Sequence, residues 1–418
     1  MTHSKLIKII NGRFLRNHQL IDDDYLWIQD GKIIDAFHTF FDAGREPDVV
    51  IDAEGAIVSP GFIELQINGA FGIDFSDQEL SAQDIEKVAR GLVHYGCTAF
   101  CPTVVTSPPK VYSKILPLLR PRSVDHGAEI LGAHCEGPFI STQKKGAHDA
   151  SVIRDVHQGI EAFDQAYGPE LSKGAVRIMT VAPELDGMLD VIPQLVQRNM
   201  TISIGHSTAT VKQAEAGVTA GATFMTHLFN AMPFQHRDPS LVGILGASDL
   251  PLPKQPERHP SPSSTSNDPT QPDPRPFFGV ICDGVHVHPN AVRIAYYAHP
   301  TGCVLVTDAL SAAGLPRGVY QLGGQEVEVR GKSGAYVRGT DTLAGSTVTI
   351  DECVRNFRKF TRCSIVEALE AATLHPAQVL GVPKGRLDPG TDADILFLDD
   401  DLHVKRVFLR GQEIPLAK

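Results

Sequence analysis

The fold is decided by AVRIMTVAPELDGMLDVIPQLVQRNMTISIGHSTATVKQAEAGVTAGATFMTHL, residues 175–228. Apolar runs at 176–182, 201–206 and 222–228 alternate in this stretch with segments whose apolar residues recur at helical spacing. Strands that alternate with helices are typical of βα units repeated around a parallel sheet. The stretch therefore predicts three neighbouring parallel strands and the helices that connect them.

The same alternation continues in both directions along the chain. Further apolar runs lie at 57–67, 98–105, 129–136, 277–283 and 303–308. Ser81 with Asp84 and, later, Ser207 predict helix starts before 85–94 and 211–218. Additional helices are expected at 346–360, at 364–373 and from His375. Eight βα units indicate a (β/α)8 barrel.

The two ends of the chain have a different pattern from the middle. Residues 5–58 contain short alternating runs with turn signals such as Asn11-Gly12, and 385–418 repeat this style. We expect a small antiparallel β module at the start and β structure at the end. Residues 252–276 are crowded with Pro, Ser, Thr, Asn and Asp, which predicts a disordered surface insertion.

The charge balance and the cysteines indicate which partners and which compartment to expect. The chain has 38 Lys and Arg against 49 Asp and Glu, a net charge of −11, without a basic run. Nucleic acid is therefore not an expected partner. Seven cysteines without a C-x-x-C pair indicate reduced, buried thiols. The start MTHSKLIKII does not resemble a signal peptide, and no apolar stretch reaches membrane-spanning length, so we expect a cytoplasmic protein without membrane contact.

Polar groups stand at the ends of several predicted strands. These residues are Glu136, His206, His227, His286 and Asp308. The carboxyl ends of barrel strands meet at one face, where the active sites of such barrels lie. One Glu and two His match a hydrolytic metal site that leaves a position open for water. Asp308 would be the nearby base.

A series of motifs in order along the chain supports this interpretation. The motifs are PGFIELQINGAFG (60–72), HCEGPF (134–139), KKGAH (144–148), GHS (205–207), THLFNAM (226–232), CDGVH (282–286) and LVTDA (305–309). Together they resemble the N-acetylglucosamine-6-phosphate deacetylase family of the amidohydrolase superfamily. The resemblance implies a (β/α)8 barrel domain at 59–384 and a β-sandwich domain assembled from 1–58 and 385–418.

The resemblance also implies roles for individual residues. Glu136, His206 and His227 would hold the metal, and Asp308 would be the catalytic base. Contacts to a phosphosugar substrate would come from Ala147, His148, Asn230, Ala231, Arg237, His286, Leu343, Ala344 and Gly345. Members of the family are dimers, so a homodimer is expected.

The end of the first barrel strand departs from many superfamily members. Where they have an H-x-H pair that holds a second metal, this chain has Gln66-Ile67-Asn68. Amides are poorer zinc ligands than imidazole, so we expect one divalent ion per subunit, zinc in the first instance. His134 lies on the same strand face as Glu136, and a buried, hydrogen-bonded histidine is the simpler interpretation of it.

The implied reaction is hydrolysis of N-acetyl-D-glucosamine 6-phosphate to D-glucosamine 6-phosphate and acetate, in amino-sugar catabolism and recycling. A metal-activated water would attack the amide, with Asp308 as general base and then general acid. Another amide hydrolase or a deaminase of the superfamily is an alternative, although two-metal members usually need the H-x-H pair. A non-catalytic barrel scaffold would be expected to lose ligands that this chain retains.

Overall fold

The computed structural model describes residues 5–35, 37, 39, 44–247, 250, 273–322, 325–330, 334–340 and 343–416. The segment 252–276, predicted as a disordered insertion, lies outside the described residues except for 273–276. Arg275, at its described end, donates hydrogen bonds to the carbonyl groups of Leu245 and Ala298. The return from this segment to the barrel is therefore fixed by a charged side chain.

Eight parallel strands close into a barrel within the described residues. They are Phe62–Ile67, Cys97–Val105, Ala133–Glu136, Val176–Val181, Thr201–Ile204, Phe224–Met225, Phe277–Ile281 and Cys303–Val306. Each strand pairs in parallel with the next. A parallel bridge between Ile67 and Ala309 joins the last strand to the first. The predicted (β/α)8 barrel is confirmed.

Helices follow the barrel strands and surround them. Their bounds are Ala82–Val93, Pro109–Ile115, Ile160–Tyr167, Met188–Gln197, Val211–Ala220, Pro289–Ala298, Ile350–Thr361, Ile365–Glu370 and Leu374–Leu380. Ser81 and Asp84 form the predicted capping box. The predicted cap at Ser207 is wrong, because the Ser207 hydroxyl donates to Glu184. Thr210 and Gln213 form the capping box of Val211–Ala220. Among the described helices, none is long and apolar enough to cross a bilayer.

The predicted first strand, 57–67, is divided between two sheets. Ile57–Pro60 belongs to a sheet built from the chain ends, and Phe62–Ile67 belongs to the barrel. Gly61 separates them, and a Cβ atom at this position would lie 2.1 Å from the Thr98 hydroxyl oxygen. Only glycine therefore allows the chain to pass between the sheets here.

Strands from both chain ends form two sheets, which confirms the predicted sandwich. One contains Ile7–Ile10, Leu26–Gln29, Lys32–Ile34 and Val49–Asp52; the other contains Arg13–Arg16, Gln19–Ile21, Ile57–Pro60, Ile395–Leu398, Val404–Leu409 and Gln412–Ile414. Phe14, Ile28 and Phe397 are buried in the core they share. The expected antiparallel arrangement is incomplete, because Ile7–Ile10 and Val49–Asp52 pair in parallel.

A small antiparallel sheet after the eighth barrel strand was not predicted. Its strands are Gly318–Leu322, Gln325–Arg330, Gly334–Val337 and Leu343–Ser346. A bridge between Ala309 and Ser346 attaches it to the end of the barrel strand. The helix expected at 346–360 therefore begins later, at Ile350.

The buried ammonium group of Lys384 lies among three carboxylates that are buried or partly buried. Its ammonium nitrogen lies 2.7 Å from Glu129, 2.6 Å from Asp392 and 2.9 Å from Asp394. Burial opposes the charge of Lys384, but the carboxylates outweigh this effect and hold its pKa above the ordinary value. Glu129 belongs to the strand Gly127–Ile130, which pairs in parallel with the barrel strand Cys97–Val105, and Asp394 precedes a sandwich strand. Lys384 thus links the barrel to the sandwich.

Lys384→Met should destabilise the protein by up to about 3–5 kcal/mol, because it leaves the buried Asp394 and the partly buried Glu129 without this counter-charge. Urea unfolding would measure the change. Lys32→Met is the matched control, because Lys32 also contacts Asp392 at 2.6 Å but its side chain is 45% exposed. The control should cost about 0–1 kcal/mol. Equal losses in the two variants would contradict the role given to Lys384.

Candidate active site

Four acidic and imidazole side chains project from neighbouring strand ends on one face of the barrel. Glu136 ends the third strand, whereas His206, His227 and Asp308 each come two residues after a strand. The backbone of these last three has positive φ, at 49°, 25° and 46°. Such conformations are costly for residues other than glycine and concentrate at functional sites.

Three of these side chains meet at a common point. Oε1 of Glu136 lies 3.0 Å from Nε2 of His206 and 2.9 Å from Nε2 of His227. The two Nε2 atoms are 3.0 Å apart. Ligands of a tetrahedral zinc ion lie roughly 3.3 Å apart, given bonds of about 2.0–2.1 Å. The three atoms could therefore hold a metal ion with small adjustments.

The electrostatics of this group favour a positive charge at its centre. Burial alone would raise the pKa of Glu136, but hydrogen bonds from His206 and His227 hold it well below the ordinary value. Burial opposes a charge on His227, yet the hydrogen bond to Glu136 and its negative charge raise the His227 pKa to about 9. Because metal ligands must be deprotonated, a divalent cation would compete with this proton.

The orientation of His206 is set by the backbone. Its Nδ1 lies 2.8 Å from the Lys144 carbonyl oxygen, which requires a proton on Nδ1 and leaves Nε2 as the ligand atom. Nδ1 of His227 is buried and has no hydrogen-bond partner in the described structure. Both rings therefore direct Nε2 toward Glu136.

Asp308 is held by the amides that occupy the H-x-H positions. Asn68 donates to Oδ1 of Asp308 at 2.8 Å, and Gln66 does so at 3.3 Å. The same Gln66 nitrogen donates to Oε1 of Glu136 at 3.0 Å, so it bridges the two acids. Burial and the negative charge of Glu136 raise the pKa of Asp308 to about 6.

His148 lies beside the group of ligand-type atoms as a neutral hydrogen-bond donor. Its ring is 4.5 Å from that of His206, and its Nδ1 accepts from the backbone N–H of Thr106 at 3.3 Å. The Thr106 hydroxyl oxygen lies nearer to Nδ1, at 2.7 Å, and where this hydroxyl also donates to Nδ1 the ring proton is on Nε2. Burial lowers the pKa of His148 to about 4, which keeps the ring neutral at pH 7.

Some of the predicted substrate-binding residues lie at the edge of this group. Asn230 and Ala231 follow His227, and the Ala231 carbonyl accepts from the backbone N–H of Ser207 at 3.2 Å. Nδ1 of His286 lies 2.5 Å from Oδ2 of Asp283. A coulombic effect of His286 is the smallest of those that act on the pKa of Asp308, and it lowers that pKa.

Other predicted substrate contacts are not brought against this group. Ala147 and Arg237 are exposed, and within the described part of the chain Arg237 makes no hydrogen bond or ion pair. Leu343, Ala344 and Gly345 lie in a strand of the small sheet. A Cβ atom on Gly345 would lie 2.3 Å from Leu310, so glycine permits close approach to the chain after Asp308.

His134 lies in the barrel interior and is not one of the three residues that converge. It is hydrogen-bonded to the Leu65 carbonyl at 2.9 Å and to the Thr180 hydroxyl at 2.7 Å. Burial lowers its pKa. This is the buried, hydrogen-bonded arrangement expected from the sequence.

Three acids near the site were missed by sequence reasoning. Asp283 contacts His286, and Glu184 accepts from the Ser207 hydroxyl at 2.6 Å and from the Thr208 backbone at 2.5 Å. Glu64 is fully buried within the first barrel strand. An acid inside an apolar strand was the available signal for Glu64.

The barrel with its strand-end acids and histidines is the architecture of an amidohydrolase. The model of the amidohydrolase family matches residues 57–414, which include all eight barrel strands. Two relatives are named N-acetylglucosamine-6-phosphate deacetylase. The protein from Rattus norvegicus is 46% identical to this chain, and the match covers 99% of this chain and 96% of the relative. The protein from Danio rerio is 44% identical, and the match covers 99% of this chain and 98% of the relative.

A solved structure agrees with this assignment. A variant of N-acetyl-D-glucosamine-6-phosphate deacetylase from Mycobacterium smegmatis, in complex with N-acetyl-D-glucosamine 6-phosphate, is 30% identical and has a TM-score of 0.76. The match covers 99% of each chain. The chain belongs to the amidohydrolase family and, within it, to the N-acetylglucosamine-6-phosphate deacetylases.

Proposed function

We propose that this chain hydrolyses N-acetyl-D-glucosamine 6-phosphate to D-glucosamine 6-phosphate and acetate, in amino-sugar catabolism and recycling. The observation that carries the proposal is the convergence of Glu136, His206 and His227 within 3.0 Å, next to the buried Asp308. Full-length relatives named for this activity support the choice of substrate.

Glu136, His206 and His227 would hold one divalent ion, which we propose to be zinc. When bound, such an ion lowers the pKa of water to about 7 and polarises a carbonyl group. Gln66 and Asn68 support a single ion, because their amide nitrogens are already donors to Glu136 and Asp308.

Asp308 would move the protons of the reaction. With a pKa of about 6 it is largely ionised at pH 7, so it accepts a proton from the attacking water. It then returns this proton to the amine that leaves. Asn68 holds the receiving carboxylate in place, and His148 donates its Nε2 hydrogen to the acetyl oxygen as negative charge develops there.

The phosphosugar would be bound at the rim of the barrel. Arg237 supports a phosphate contact, because its guanidinium is exposed and forms no ion pair with any other described residue. A planar guanidinium can make two charge-assisted hydrogen bonds to phosphate. The remaining contacts are assigned to Ala147, Asn230, Ala231, His286, Leu343, Ala344 and Gly345.

Arg237→Ala should raise KM for the 6-phosphate substrate about 10- to 100-fold, since hydrogen bonds to charged groups contribute about 1.5–3 kcal/mol. Turnover of unphosphorylated N-acetylglucosamine should hardly change. Arg13→Ala, on the sandwich, is the control and should alter neither substrate. Equal losses of the two substrates in Arg237→Ala would assign the phosphate to another group.

The organisation of the molecule forms a second part of the proposal. We infer one domain from 1–58 and 385–418, a barrel domain from 59–384, a homodimer, and a cytoplasmic location. All seven cysteines are buried and unpaired, which supports a reducing compartment. Light scattering on the purified chain would test the dimer.

The direct test of the proposed reaction is the identification of its products. Purified protein with N-acetyl-D-glucosamine 6-phosphate should release acetate and a primary amine in equal amounts. N-acetyl-D-galactosamine 6-phosphate and cyclic amides serve as competing substrates. Faster hydrolysis of a cyclic amide would favour another amidohydrolase activity, and absence of turnover on all of them would favour a scaffold.

A further inference from the structure

Glu64 is an acid in the middle of an apolar barrel strand. It lies between Ile63 and Leu65 and is only 1% exposed. An acid in such a position is costly unless its oxygens find partners, so its presence requires an explanation.

Both oxygens of Glu64 bind backbone groups where the barrel closes. Oε1 accepts from the backbone N–H of Gln66 at 2.8 Å, and Oε2 accepts from the backbone N–H of Thr307 at 3.0 Å. Gln66 belongs to the first strand, and Thr307 follows the last. One carboxyl group thus joins the two strand ends between which the barrel is closed.

These two backbone positions control the surroundings of Asp308. Thr307 directly precedes Asp308, whose backbone N–H donates to the Gln66 carbonyl at 2.8 Å. The Gln66 side chain reaches both Asp308 and Glu136. Any shift between the two strand ends would therefore move the acid relative to the amide that orients it.

We propose that Glu64 is a positioning residue that fixes the backbone on both sides of the barrel closure and thereby aims the carboxylate of Asp308. This inference rests on the proposed deacetylase function. Small misplacements of reacting groups lower the reaction rate strongly. The loss of hydrogen bonds that support a site typically lowers activity about 10- to 100-fold.

The protonation of Glu64 is consistent with this role. Burial raises the pKa of Glu64 to about 8, although hydrogen bonds from Gln66 and Thr307 oppose the rise. The raised pKa reduces the negative charge that Glu64 places beside Asp308, while its two oxygens remain acceptors for the backbone N–H groups of Gln66 and Thr307.

Glu64→Gln tests the proposal, because it keeps the size of the side chain but presents an NH2 group to one of the two backbone donors. We expect kcat to fall about 10- to 100-fold, with KM within about twofold and metal content unchanged. Thr201→Val is the matched control, because it removes a buried hydrogen bond to the Val379 carbonyl away from Asp308. Its kcat should stay at the wild-type value, whatever its stability.

Unchanged kcat in Glu64→Gln, or a fall in kcat matched by Thr201→Val, would overturn the proposal. If Glu64→Gln does not fold, Thr307→Val decides, because it replaces with a methyl group the hydroxyl that contacts Glu64 and accepts from the Ala309 backbone N–H. Its kcat should then fall at unchanged KM, and a wild-type kcat would overturn the inference. Failure of the wild-type protein to release acetate would instead refute the proposed function.

Discussion

Asp308→Asn should lower kcat by about 10²- to 10⁴-fold, the usual contribution of a positioned general acid–base group. The amide can still accept a hydrogen bond from Asn68, but it can neither take the proton of the attacking water nor return it to the amine. Metal content, measured by elemental analysis, should remain that of the wild type, because Asp308 is not among the three converging ligand-type atoms.

Asp186→Asn is the control for this variant. Asp186 is an exposed carboxylate on the loop after the fourth barrel strand, and its substitution should leave kcat unchanged. A rate for Asp308→Asn within tenfold of the wild type would remove Asp308 from the proton transfers. Loss of metal in the same variant would show that Asp308 belongs to the ligand set.

His227→Ala should abolish stoichiometric metal binding and activity together. Only Glu136 and His206 would remain as ligands. The loss of metal affinity should therefore exceed the about 10- to 100-fold loss that follows when a hydrogen-bond partner of a metal ligand is removed. Elemental analysis and acetate release on one preparation would measure both effects.

His375→Ala is the matched control, because His375 is also buried and hydrogen-bonded, to the Cys303 carbonyl, but lies outside the converging group. This variant should lose stability and keep its metal. Full metal occupancy in His227→Ala would show that the ligand set is wrong. Loss of metal from both variants would point to a general disruption of the barrel.

The barrel and the placement of the four central residues were predictable from local patterns. The alternation of strands and helices predicts the barrel. The strands of the barrel bring Glu136, His206, His227 and Asp308 to the same face. Because the residue after a strand lies at that face whatever the loop does, no long-range knowledge was needed. The amides of Gln66 and Asn68 were predicted as poorer metal ligands than imidazole, and their hydrogen bonds to Glu136 and Asp308 were not predicted.

Features that depend on contacts between distant segments were not predictable. Glu64 contacts the backbone of Thr307, 243 residues away, and no periodicity encodes that contact. Ser207 precedes a helix in the sequence as a cap would, but its hydroxyl donates to Glu184. The division of 57–67 at Gly61 depends on the approach of Thr98 from another strand.

The proposed substrate contacts were the least predictable part. Arg237 and Ala147 lie on exposed loops, whose conformation is set by a substrate or by neighbouring segments more than by their own sequence. The small sheet that carries Gly345 is made of short strands, three of which contain glycine, and glycine weakens the sequence signal of a strand.

The most direct test of the proposed single catalytic ion is to return metal to the apo-protein and to measure acetate release. Zinc would be added stepwise to chelator-treated protein, and the rate with N-acetyl-D-glucosamine 6-phosphate recorded at each step. We expect the rate to rise linearly and to level off at one ion per chain. Full activity in the metal-free protein, or a rise that continues to two ions per chain, would contradict a single catalytic ion held by Glu136, His206 and His227.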